Sequence, residues 1–175
     1  KSNTNKDFNA ITNIFKLCIM LTHEQRQDIK QAIDVMHQGG VILYPTDTIW
    51  GLGCDATNPE AVAKVYAIKH REDAKALISL VDSEAKVDFY VPDVPEVAWQ
   101  LLECATRPLT IIYDNVRHLA PNLLAEDGSA ALRITQEEFS KELCMRMKRA
   151  VVSTSANISG EAAPRCFADI SPEIL

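Results

Sequence analysis

A chain of 175 residues with 47% hydrophobic and 24% charged side chains has the composition of one globular domain. At this length it buries about 70% of its unfolded surface without disulfide or metal staples, so the disordered and fibrous classes are excluded. Its 18 Lys and Arg stand against 24 Asp and Glu, a formal net charge of −6, which excludes a general nucleic-acid coat but allows a local basic pocket.

Residues 1–19 are rich in Asn, Thr and Lys. Their apolar run, Ile14 to Leu21, is interrupted by Lys16 and is too short to span a bilayer. It also lacks a small-residue cleavage site. We expect 1–19 to be an N-terminal extension and 20–175 to be the domain proper. Thr22 and Gln25 form a capping-box pattern. Ile29, Ala32, Ile33 and Met36 follow at helical spacing up to Gly39-Gly40. Val41 to Tyr44 reads as a strand stopped by Pro45. Asn58-Pro59 opens a second helix through Val62, Val65 and Tyr66. A second strand is predicted from about Ala76 to Val81, a helix over 95–105, and strands over 109–113 and 130–135. Gln136 to Lys148 reads as an amphipathic helix, and Val151-Val152 as the last strand, running into a polar loop. Strands separated by helices predict an α/β fold: a single-domain, twisted mixed β-sheet flanked by helices.

The five cysteines form no C-x-x-C and the four histidines never fall at metal-ligand spacing. Reduced thiols in a cytoplasmic protein, without a metal site, are expected. Neither a G-x-G-x-x-G nor a Walker loop occurs, so a nucleotide would be held by other means.

Three polar segments follow apolar elements. Tyr44 to Gly53 places Thr46, Asp47 and Thr48 directly after a strand, as a site or as a turn capped by its own side chains. Lys69-His70-Arg71 lies where a helix ends. The two cations suit either the helix dipole or an anion pocket. Ser153 to Gly160 carries four hydroxyls and an amide, more than a helix cap needs, which favours ligand contact. Arg133 is embedded in an apolar strand, so it is either ion-paired internally or aimed at an anionic ligand. Arg107 is weaker and reads as a solvated loop charge.

Together, Tyr44–Gly53, Lys69-x-Arg71, the Ser129–Thr135 strand and Ser153–Gly160 resemble the YrdC-like family of threonylcarbamoyl-adenylate synthases over roughly residues 22–164. The resemblance implies a YrdC-like fold with a deep basic pocket. It implies an enzyme that makes threonylcarbamoyl-AMP and pyrophosphate from L-threonine, bicarbonate and ATP, with Mg²⁺ held through the phosphates. It further implies a downstream tRNA-modifying complex and a weak contact with tRNA or double-stranded RNA. By matching positions, Lys69 and Arg71 become the catalytic ligands of the phosphates and the intermediate. Thr46, Arg133 and Ser155 become threonine contacts, with Arg133 clamping the carboxylate. Ser129, Asn157 and Arg165 become nucleotide contacts. The stretch Thr106-Arg107-Pro108-Leu109-Thr110 departs from the family's Pro-Gly-Pro-x-Thr. Relatives also usually continue beyond the position of Leu175, so the C-terminal part of the ATP site is expected to be incomplete. The runner-up is a non-catalytic nucleotide- or RNA-binding module on the same fold. Against it stand the acidic balance and an aromatic content of only 6%, too low for a stacking stripe.

Overall fold

The computed structural model describes residues 21–70, 77–164 and 166–175; the extension expected at 1–19 lies outside them. Five α-helices and six strands occur among the described residues: α1 (His23–His37), β1 (Ile42–Tyr44), β2 (Gly51–Gly53), α2 (Pro59–Ile68), β3 (Ile78–Val81), α3 (Glu84–Tyr90), α4 (Glu96–Cys104), β4 (Thr110–Tyr113), β5 (Ala130–Ile134), α5 (Glu138–Met147) and β6 (Val151–Ser155). They build one open sheet in the order β1-β2-β6-β3-β5-β4. Only β3 and β5 pair in parallel; the other pairings are antiparallel.

Local chemistry sets most boundaries. Thr22 and Gln25 form the reciprocal capping box at the start of α1, which satisfies two donors that the first turn leaves open. Gly39, at φ +72, turns the chain out of that helix at no steric cost. Asn58 accepts from the backbone N–H groups of Glu60 and Ala61, and Pro59 takes the first position of α2, where a missing N–H is harmless. Glu137 caps α5 through both carboxylate oxygens.

The sheet has two unlike faces. On one, Ile42, Tyr44, Leu80 and Val151 pack against Ile29 and Met36 of α1 and Phe139, Leu143 and Met147 of α5. On the other, Leu77, Val81, Leu132 and Val152 meet α2, α3 and α4 through Val62, Val65, Val87, Tyr90 and Ala98. Residues opposite one another across paired strands share a face. Arg133, level with Leu80 and Val151, therefore belongs to the α1/α5 face. Ile112 shares that face, level with Ala131. It is 68% exposed, so the helical cover stops short of the β4 edge.

Two elements were not anticipated. Gly51-Leu52-Gly53 is a strand despite glycine's low β-propensity, and Glu84–Tyr90 is a short helix. The last strand also runs through Ser155 rather than ending at Val152. Three of the four hydroxyls of the cluster, Ser153, Thr154 and Ser155, thus lie on the strand, and their side chains alternate between the two faces.

Candidate functional site

The segment between β1 and β2, residues 45–50, lies as a strap against the α1/α5 face. Thr46 ties it: its hydroxyl donates to the Ile49 carbonyl at 2.7 Å and accepts from the N–H groups of Thr48 and Ile49 at 3.3 Å. Glycine makes the close approach tolerable. A Cβ on Gly51 would sit 3.2 Å from the Thr46 methyl and 3.3 Å from the Thr154 carbonyl oxygen. A Cβ on Gly53 would sit 2.6 Å from the Tyr44 ring. That ring crosses β2 so that its hydroxyl reaches the Val152 carbonyl at 3.1 Å. Burial pushes the Tyr44 phenol well above its ordinary pKa, so the group stays a neutral donor.

Asp47 does not cap its own turn. Its Oδ1 accepts from Arg133 Nη1 at 2.9 Å, pinning the strap to β5. Arg133 Nε donates to Thr110 Oγ1 on β4 at 2.8 Å, so the threonine of the divergent Thr106–Thr110 stretch orients the guanidinium. The side chains are 13% and 6% exposed for Arg133 and Asp47. Arg133 thus forms an internal ion pair, one of its two readings. Its Nη2 makes no hydrogen bond among the described residues, and Asp47 Oδ2 is buried without a partner.

A second cluster lies at the far end of β6. Lys69 caps α2, and the chain turns away at once through His70, at φ 50. The buried Lys69 ammonium donates to the carbonyls of Ser155 at 2.6 Å and Asn157 at 2.7 Å, with Asn157 Oδ1 at 3.3 Å. In return, the Lys69 carbonyl accepts from Ser159 N–H at 3.0 Å. Asn157 Nδ2 donates to the carbonyls of Ile158 and Glu161. Beyond β6 the segment from Ser155 to Gly160 is therefore a turn organised around a cation rather than a row of loose hydroxyls.

The two clusters meet at the β2–β6 pairing. Ser155 is opposite Gly51, and the Cβ position of Gly51 lies 3.5 Å from Ser153 Oγ. Ser129 immediately precedes β5, and Ser155 ends β6. Ser129 is buried, and its N–H donates to Asp127 Oδ1 at 2.9 Å. This exposed Asp127 carboxyl is held below its usual range chiefly by the Ser129 hydroxyl.

Of the residues singled out from sequence, Thr46, Lys69, Ser129, Arg133, Ser155 and Asn157 are thus brought to the strap and its adjoining strand ends. Arg71 and Arg165 lie outside the described residues. Arg107 is exposed and lines a separate cleft with Asp82, Gln136 and Lys141. Asp47 and Thr110 were not singled out as site residues. The signal for Asp47 was a lone carboxylate in a hydroxyl-rich strap, complementary to a lone arginine in an apolar strand.

Residues 34–175 match the Sua5/YciO/YrdC family model, whose description reads "Telomere recombination". The threonylcarbamoyl-AMP synthase of Stutzerimonas stutzeri is 36% identical over 139 residues, covering 78% of this chain and 74% of that protein. The enzyme of the same name from Pseudomonas aeruginosa is 36% identical over 136 residues, 77% and 72% of the respective chains. Among solved structures, P. abyssi Sua5 complexed with L-threonine superposes with a TM-score of 0.74 at 24% identity over 82% of this chain. E. coli YciO superposes with a TM-score of 0.68 at 25% identity, covering 78% of this chain and 66% of that one. The chain spans 45% of the P. abyssi structure, slightly less than half of its length.

Proposed function

The chain belongs to the Sua5/YciO/YrdC family, and from that premise we propose that it is a threonylcarbamoyl-AMP synthase, forming threonylcarbamoyl-AMP and pyrophosphate from L-threonine, bicarbonate and ATP. The observation that carries this reading is the pairing of two polar clusters, the Arg133 guanidinium with the strap through Asp47 and the buried Lys69 ammonium with the Ser155–Asn157 turn, which adjoin where Ser155 lies opposite Gly51. The substrates explain the need for such a face. A carbamate anion must approach the α-phosphate of an anionic nucleotide, and fixed cations lower that repulsion and stabilise charge developing on pyrophosphate. Holding the two in line supplies much of the remaining rate.

In this reading Arg133 binds the threonine carboxylate through its uncommitted Nη2, with Thr46 and Ser155 alongside. Ser129, Asn157 and Arg165 contact the nucleotide, and Arg71 neutralises its phosphates. Lys69 acts chiefly as a positioning residue, because its ammonium is engaged by the Ser155–Asn157 turn. From there its charge also favours phosphate nearby. Mg²⁺ fits as an ion carried by the phosphates of ATP, since hard cations of this kind bind through few protein ligands. Among the described residues no cluster of three His, Cys, Asp or Glu side chains forms a dedicated cage. We further propose that the folded domain begins near residue 20, that the enzyme works in the cytoplasm, and that its product passes to a tRNA-modifying complex with at most weak tRNA contact. No helix among the described residues is long and apolar enough to cross a membrane.

Pyrophosphate release tests the proposal. Release from ATP that requires both threonine and bicarbonate is the expected result. Nucleotide or RNA binding with no release under any combination would overturn the enzyme in favour of a binding module.

A further inference from the structure

At neutral pH an α-amino acid is a zwitterion, and a carboxylate clamp recognises only half of it. Arg133 spends Nη1 on Asp47 and Nε on Thr110, leaving Nη2 uncommitted among the described residues. Asp47 spends Oδ1 on Arg133, while Oδ2 is buried without a hydrogen-bond partner among the described residues. A buried carboxylate oxygen without a donor is unfavourable, and native structures keep few such atoms. A strap tether alone would not require it. The Thr46 hydroxyl already holds the strap's own turn, and any polar acceptor at position 47 would engage Arg133.

We infer that the Asp47–Arg133 pair is a zwitterion receptor: Arg133 Nη2 takes the carboxylate of the amino-acid substrate and Asp47 Oδ2 takes its α-ammonium. A guanidinium and a carboxylate sharing one 2.9 Å contact present opposite charges on the scale of the two charged groups flanking a single Cα. The arrangement makes Asp47 a specificity-determining residue that demands an amine, the atom that must become the carbamate nitrogen. It selects α-amino acids over hydroxy acids and over dicarboxylates, whose second anion would face Asp47. The inference rests on the assignment of L-threonine as substrate and adds the residue that reads its amine.

Calorimetric titration of the full chain with L-threonine and with 3-hydroxybutanoate, which is threonine without the amine, tests it. A charge-assisted hydrogen bond predicts that the unaltered protein binds threonine about tenfold or more tighter. In Asp47→Asn, which retains an acceptor for Arg133 but presents an amide N–H₂ in place of the second oxygen, that ratio falls to near one. Titration with ATP reports whether the variant is folded. Equal affinities for the two compounds in the unaltered protein overturn the inference without any variant. So does a variant that weakens both compounds alike and keeps their ratio, since Asp47 would then be only a tether. If the unaltered protein binds neither compound, the assignment of threonine as substrate fails, and the receptor with it.

Discussion

Lys69 shows how one buried charge serves a site without facing it openly. It is 3% exposed, and an ammonium in that position is tolerable only with acceptors around it. The carbonyls of Ser155 and Asn157 supply them, so the cation and the turn depend on each other. Lys69→Ala leaves those carbonyls unsatisfied, at a cost of about 2 kcal/mol, which lowers Tm by about 4–8 °C in a domain of this size. Pyrophosphate release is lost as well. Thermal melting and the release assay read the two effects separately. Full turnover per folded molecule in the variant would show that the lysine only braces the turn. The lysine was singled out from the sequence because it ends a helix beside a second cation. Its saturation by backbone carbonyls was not legible, since those acceptors lie 86 and 88 residues away.

The least predictable element is β2. Gly-Leu-Gly is a poor strand by propensity, yet it joins β1 to β6 because the missing side chains admit the Tyr44 ring and the strap. Gly53→Ala places a methyl group 2.6 Å from both the Tyr44 ring and the Val152 carbonyl oxygen. The ring has only two torsions with which to escape, and the carbonyl belongs to a central strand. The expected loss is about 1–3 kcal/mol, typical of overpacking, read as a lower urea midpoint at unchanged slope. A midpoint equal to that of the parent would show that the ring is free to move. Helices were easier to read. Thr22 with Gln25, Asn58-Pro59 and Gly39 each act through neighbours within four residues, so their signal is local.

For the molecule as a whole, burial of thiols and phenols sets an alkaline limit. Burial, reinforced by the Asp55 charge, pushes the Cys54 thiol up to about 12 from 9.0. Cys144, Tyr44 and Tyr90 are raised for the same main reason. These groups are neutral in both states below their unfolded pKa values. Above about pH 9 the unfolded chain loses the Cys54 proton while the folded protein keeps it, so the folded state binds more protons. Stability therefore falls as pH rises from about 9 towards 12, by up to about 1.4 kcal/mol per pH unit for each such group. Urea midpoints measured from pH 7 to 10.5 are expected to decline on the alkaline side, and less steeply in Cys54→Ala. An unchanged slope in that variant would remove Cys54 as a cause.

The alternation of helices and strands, the single layered core and the membership of a family were all contained in the order of residues. Periodicity, caps and short motifs act over a few neighbours and survive as linear patterns. The chain also announced that its hydroxyls and cations belonged together, but not how they divide the work. Asp47 meets Arg133 across 86 residues, and Lys69 finds its carbonyls only after α2 and β6 have been brought side by side. Which charges are spent on the protein and which stay uncommitted depends on distances of a few ångströms between strands. Only folding creates those distances.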